Sequence, residues 1–368
     1  MAFHPPSPPR PAAGVAPAAR HPAEWEPQAA AWIIWPHTRM DWPGKLTAVA
    51  WDFAEIVRIL APDERVRVLV QNASHERRAR MILELAHAPL EAVDFLRIPS
   101  DRSWARDTGP IFVEPPGGGP PAIAHFEFNA WGKRDAYEKD AAIPERAARW
   151  RNAKIITPEH RGRRVVLEGG AIDVNGRGSL ITTEQCLLDA NTQVRNEGFR
   201  RADYEEVFAR WLGAPNTLWL NQGIAGDLDT HGHVDDICRF VGPSALVLAM
   251  ENNPADENHR PLRENRERLQ DARLEDGSRP TVVELPMPAP LRCRGQRLPA
   301  SYANFFIGRH TVLVPTFNDP ADRVALGILA ELFPDRVVRG IHGVDILLGL
   351  GGIHCLTHEE PEPFPLRA

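Results

Sequence analysis

Cysteine is scarce in this sequence: Cys186, Cys238, Cys293 and Cys355 are the only 4 in 368 residues. None stands in a C-x-x-C pair, which argues against a zinc ribbon or a thioredoxin-type redox site. So few thiols in so long a chain point to a reducing compartment, and a cytoplasmic protein is expected. No apolar run approaches the ~20 residues of a membrane-spanning helix. The N-terminal stretch "MAFHPPSPPRPAAGVAPAARHP" lacks the apolar centre of a secretory signal. Its proline and alanine content predicts a disordered leader over 1–21, with 22–368 as a single folded domain. A basic cluster is also missing, apart from solvated helix faces such as "HERRAR" (75–80), and the net charge is −6. Neither a nucleic acid nor a membrane is therefore an expected partner. A mildly acidic chain suits small cationic ligands instead.

Against these absences stands a repeat. Four segments each hold an apolar strand, a polar turn, a second apolar strand and then an asparagine: Asn129, Asn191, Asn252 and Asn318. Helices are expected after the hairpins. "ADYEEVFARWL" places Tyr204, Val207, Phe208 and Trp211 on one apolar stripe, and residues 261–274 and 322–333 read similarly. A short strand follows each helix, at 217–222, 281–286 and 337–341. The unit is β-β-α-β, roughly 65 residues long. A fifth unit begins with the strand 30–36, the helix 47–60 and the strand 66–70, but lacks one strand. The segment "GIHCLT" (352–357) is expected to supply it, pairing the chain's two ends and closing an α/β ring without open edges. An open α+β arrangement of two or three sheets is the alternative.

Residues capable of chemistry cluster where each unit's first strand begins. "RSWARDTGP" holds Trp104 and Asp107, "LEGGAID" holds Glu168, "DTHGHVDD" holds His231, His233, Asp235 and Asp236, and "GIHCLT" holds Cys355. Equivalent positions of a cyclic array converge on its axis. Each residue alone has a plainer explanation. Asp107 suits a turn, Glu168 a solvated loop, His233 a structural role and Cys355 an inert thiol. The joint recurrence at one phase, beside glycines that admit close backbone approach, favours a shared pocket.

Such a set suits a guanidinium. Two carboxylates match its planar fork of donors and hold it flat and charged. Its central carbon is then open to a thiolate, which a bound cation or a protonated histidine would favour. The histidine can protonate departing ammonia and then activate the water that hydrolyses the thiouronium. A third carboxylate would orient the ring and keep it charged.

The segments "AEWEPQAAAWIIWP", "WARDTGPIFV", "FNAWGK", "EGGAIDVNGRGSLITTEQCLL", "GHVDDICRF", "YANFFI", "PTFNDPAD" and "GGIHCLTHEEP" resemble, in order, the agmatine deiminase and bacterial peptidyl-arginine deiminase family. The resemblance spans about residues 22–361 and is specific, since so many ordered motifs agree. It implies a pentein fold: a five-bladed, pseudo-symmetric α/β propeller of ββαβ units. It implies hydrolysis of a guanidinium to a ureido group and ammonia, without metal or organic cofactor, and agmatine as the first candidate substrate. Carried over by motif, Cys355 would be the nucleophile, His233 the general acid and base, and Glu168 its assistant. Asp107 and Asp235 would bind the guanidinium, and Trp104 would wall the slot. Departures fall at Leu350 within "GLGG", at "THEEP" (357–361), at "WGK" (131–133) and at Leu228 in "GDLDTHGH". They are expected to alter the pocket rim. Asp227 or Asp229 is a candidate holder of agmatine's distal ammonium, whereas a peptidyl-arginine or another guanidinoalkyl substrate would need a more open entrance.

Two rival readings differ in class. "HGHVDD" resembles the H-x-H-x-D stretch of binuclear metallohydrolases, with further histidines such as His259, His310, His342, His354 and His358 available. Inhibition by a chelator and rescue by zinc would favour it. A ring that binds guanidines without turnover is the other, and a test for ureido product separates it. A homo-oligomer is left open, since a single sequence does not separate interface from core.

Overall fold

The computed structural model describes residues 19–366. The expected leader lies outside the described residues up to 18. Its last three residues are packed rather than loose: Ala19 is buried, and Arg20 forms a backbone bridge with Glu114 and an ion pair with Glu26 at 2.6 Å. Residues 19–21 thus belong to the packed structure, because Arg20 finds two carboxylates there.

Among the described residues, five sheets of three or four strands share one pattern. An antiparallel pair is followed by a parallel strand, as a hairpin and a helical crossover dictate. The second to fifth sheets start at Ile111–Val113, Asp173–Val174, Cys238–Gly242 and Phe306–Ile307. Their central strands are Ala122–Ala124, Ser179–Thr183, Ala245–Met250 and Thr311–Thr316, and the parallel third strands are Ile155–Ile156, Asn216–Leu220, Thr281–Pro286 and Val337–His342. The crossover helices are Ile143–Arg151, Arg201–Val207 with its wider last turn Phe208–Leu212, His259–Asp271 and Ala321–Leu332. The fold is thus α/β with mixed sheets.

In the first sheet, Gln28–Ile34 pairs in parallel with Arg65–Leu69, which pairs with Val93–Leu96. The missing strand does come from the far end of the chain, but one segment later than expected. Thr357–Pro361 pairs antiparallel with Gln28–Ile34, whereas Ile353–Leu356 forms a single helical turn. That turn carries Cys355.

The helix Leu46–Leu60 shows how these crossovers are held. Val49, Phe53, Ala54, Ile56, Val57 and Leu60 are buried along it. Phe53 meets Trp35 and Trp42 edge-on, with ring centroids 6.2 and 6.0 Å apart. Truncation of such a ring leaves a cavity. Phe53→Ala is expected to cost about 3–5 kcal/mol, read by denaturant unfolding; a loss well below 1 kcal/mol would contradict this packing.

Candidate active site

A short helical turn or bend precedes the opening strand of each sheet and presents its polar residue inward. Asp107 lies on Ala105–Thr108, Glu168 opens Gly169–Ala171, His233 and Asp235 flank the start of Val234–Asp236, and Cys355 lies on Ile353–Leu356. Four chain segments, spread between residues 105 and 356, thereby meet.

His233 stands at the centre, fully buried. Its Nδ1 is 3.8 Å from Asp107 Oδ1 and 3.9 Å from Asp235 Oδ1, and its Nε2 is 3.9 Å from Glu168 Oε2. These gaps exceed a direct hydrogen bond. Neither ring nitrogen, nor Glu168 Oε2, nor Asp235 Oδ1, has a hydrogen-bond partner among the described residues. Buried polar atoms are rarely left so, and here each ring nitrogen lies 3.9 Å from one of the two unpartnered carboxylate oxygens. Burial opposes charge on the ring, but the Asp107 carboxylate, with Cys186 and Glu168, raises its pKa well above the usual histidine value.

The sulfur of Cys355 lies 3.8 Å from Asp235 Oδ2, and the side-chain amide of Asn304 donates to it at 3.2 Å. Burial, and then the carboxylates of Asp235, Asp236 and Asp107, push the thiol's pKa well up. Asp107 accepts from Trp131 Nε1 at 2.9 Å and from the Gly170 amide at 3.1 Å. Its pKa is raised, chiefly by burial. Glu168 is held by Arg195 Nε at 3.0 Å. Burial works against its charge, yet Arg195 and His233 bring it down to about 2.

Two glycines are required by proximity. A Cβ on Gly170 would lie 2.6 Å from His233 Nδ1 and 2.8 Å from Asp107 Oδ1. A Cβ on Gly351 would lie 2.6 Å from the Trp104 ring and 3.1 Å from Cys355 Cβ. Trp104 thus stands beside the nucleophile segment, with its ring 5.5 Å from that of Trp42.

All six residues singled out from the sequence come together here; their neighbours do not all take the expected places. Asp227 accepts from Thr230 and from the Gly232 amide, so it holds a turn, and Asp229 is paired with Lys133. Both carboxylates already have partners within the chain. His358, Glu359 and Glu360 line no rim: they are buried in the strand Thr357–Pro361, with Glu359 on Arg106 at 2.7 Å and Glu360 on Arg67 at 3.1 Å. Leu350 ends a turn at φ +69°, a conformation glycine adopts more cheaply. Leu228 is 61% exposed.

Other participants were not singled out. Asn304 accepts from the backbone amides of His354 and Cys355 at 2.9 and 3.3 Å and also donates to Asp236 at 2.9 Å. It occupies the same phase of the "YANFFI" unit as Asp107, Glu168 and Asp235 do in theirs, so the repeat itself carried the signal. Cys186 resembled a small core residue, yet it stands beside His233 and Glu168. Arg195, beyond any motif phase, had no local signal.

Among the described residues, two groups are close enough to share a cation: Glu168, Cys186 and His233, and Asp235, Asp236 and Cys355. The guanidinium of Arg195 beside Glu168 opposes a further positive charge in the first. The H-x-H pair does not converge, because His231 Nε2 turns to Asp189 at 3.0 Å.

Comparisons with known proteins agree with this geometry. The family model of Porphyromonas-type peptidyl-arginine deiminase matches residues 20–361. The agmatine deiminase of Pseudomonas fluorescens Pf-5 is 35% identical over 366 residues, covering 93% of this chain and 95% of the relative. That of Pseudomonas aeruginosa LESB58 is 34% identical, covering 94% and 96%. Among solved structures, the agmatine deiminase of Enterococcus faecalis superposes with a TM-score of 0.85 at 26% identity, covering 95% of this chain and 99% of that one.

Proposed function

The chain belongs to the Porphyromonas-type peptidyl-arginine deiminase family, and from that premise we propose that it hydrolyses agmatine to N-carbamoylputrescine and ammonia. The observation that carries the reading is a buried thiol 3.8 Å from a carboxylate that also faces the unpartnered His233. A cation relieves so many converging acids, and a guanidinium also offers sulfur an electrophilic carbon.

Asp107 and Asp235 grip the guanidinium and Trp104 bounds its slot. In the free enzyme the Cys355 thiol holds its proton, because the surrounding carboxylates oppose a second anion. The arriving cation cancels that opposition, the thiol gives up its proton to solvent, which is restored to the sulfur when the product leaves, and the Asn304 amide steadies the thiolate meanwhile. The sulfur bonds to the guanidinium carbon. His233, already protonated beside Asp107 and Glu168, gives its proton to the departing nitrogen, and ammonia leaves as the carbon–nitrogen bond breaks. The neutral ring then takes a proton from water, whose hydroxide adds to the thiouronium. Collapse of that adduct expels the sulfur and leaves the ureido product.

The five sheets are further read as blades of one closed five-bladed propeller. Their shared strand pattern, and the pairing of Thr357–Pro361 with Gln28–Ile34, support that reading. Four free thiols fit the proposed cytoplasmic setting. Among the described residues no helix is long and apolar enough to cross a membrane.

Ammonia release from agmatine, free arginine, arginine peptides and guanidinoalkylamines of other lengths tests the substrate. Agmatine is expected to give the highest kcat/KM; preference for peptides would shift the assignment to a peptidyl-arginine deiminase. The thiol gives a second test. Iodoacetamide is expected to modify Cys355 slowly at about pH 7 and faster as pH rises beyond about 9, since a raised pKa leaves little thiolate below it. A thiol half-ionised near neutrality would overturn this order of events.

A further inference from the structure

The residue before the nucleophile sits between two carboxylates. His354 shares the turn Ile353–Leu356 with Cys355 and is buried. Its Nδ1 is 2.6 Å from Asp235 Oδ2, and its Nε2 is 2.8 Å from Glu24 Oε2. Glu24 is itself fixed: it accepts from Arg239 at 2.7 Å, from Arg106 at 3.4 Å and from the Ile307 amide at 2.6 Å. Asp235 is not. Beyond His354 its one hydrogen-bond contact among the described residues is the long one to the Cys355 sulfur, and its Oδ1 is unpartnered.

We propose that His354 is the positioning residue of the guanidinium grip, anchoring Asp235 through Nδ1 while Glu24 locks the ring through Nε2. The inference rests on the reading of Asp235 as a substrate-binding carboxylate. One oxygen of Asp235 is held by the ring, and the other is left for substrate. Since His354 and Cys355 are adjacent on one turn, the grip and the sulfur are tied to the same piece of backbone. A one-residue shift of that turn would misplace both.

The hydrogens in this row can be counted. Two contacts to carboxylate oxygens need two hydrogens, and a neutral imidazole carries one. Glu24 already accepts from two guanidiniums and an amide, so it supplies none. Burial, with Arg106 and Arg239 nearby, holds the ring's pKa well below the usual histidine value against the pull of Asp235. The second hydrogen therefore lies in the short contact between Nδ1 and Asp235 Oδ2.

Agmatine binding to the full-length chain in a Cys355→Ala background, measured by calorimetry, tests this without turnover. His354→Ala is expected to weaken binding at least tenfold. His354→Asn, whose amide N–H falls near the place of Nδ1, is expected to recover most of the loss. His354→Gln, which reaches toward Glu24 instead, is not. Melting temperatures are taken alongside; should the alanine variant not fold, the asparagine–glutamine comparison carries the test. Unchanged binding in His354→Ala, or equal binding by the asparagine and glutamine variants, overturns the inference. Asp235→Asn separates the two layers. Impaired binding there with unimpaired His354→Ala sinks only the positioning role; unimpaired Asp235→Asn sinks the grip itself, and the inference with it.

Discussion

Cys355→Ala is expected to lower ammonia release from agmatine by a factor on the order of 10⁴ or more, as removal of a covalent nucleophile does elsewhere. The fold should survive. Cys355 contributes a small side chain to its cluster, and the turn that bears it is held by the backbone contacts of Asn304 and by the strand Thr357–Pro361. The melting temperature is therefore expected to change little. With the thiol gone, agmatine should still bind, since Asp107 and Asp235 are untouched. Turnover above a few per cent of the parent rate would remove Cys355 from the chemistry. The thiol of Cys186 does not replace it, because it stands beside His233 and Glu168, in the other acid-lined group.

Asp107→Asn carries the second large effect, and it acts in two directions at once. The carboxylate is buried and faces His233 at 3.8 Å. Removing one charge from a buried clamp typically costs about 2–5 kcal/mol of binding, which is roughly 30-fold to several thousandfold in kcat/KM. The same carboxylate helps to hold the Cys355 thiol in its protonated form. Its loss should therefore lower the thiol's pKa and speed iodoacetamide modification at a fixed pH of about 8. His233 loses the largest of its supporting charges, so its pKa should fall. Unfolding would also expose the buried thiol, so the melting temperature is taken alongside; weaker agmatine binding with faster alkylation at an unchanged melting temperature is the expected result. Slower alkylation, or unchanged kcat/KM, would return Asp107 to the role of a turn residue.

Much of the architecture was legible in the chain before any coordinates. Tyr204, Val207, Phe208 and Trp211 mark one stripe because a helix repeats every 3.6 residues, and the helix is there, although its last turn is wider than expected. The borrowed strand was legible as a gap in the first unit, but its position was displaced by a few residues. The turn Ile353–Leu356 has the same apolar character as a strand, and periodicity over so short a run does not separate the two. The resemblance raised "THEEP" as a rim feature. The structure makes it an interior strand, because Glu359 and Glu360 find Arg106 and Arg67.

What the sequence alone determined is the recurring phase. Asp107, Glu168, Asp235 and Cys355 each open a unit, and equivalent places in repeated units come together in space. Tertiary structure decided which polar groups complete the site. Glu24 and His354 are 330 positions apart, and Asn304 and Cys355 are 51 apart. No local pattern encodes such partners, since a hydrogen bond depends on where two side chains end rather than on their separation along the chain. The same reason hid Arg195, whose guanidinium keeps Glu168 charged from a loop with no repeat signal. Periodicity is a property of one segment; charge balance in a buried hub belongs to all of them together.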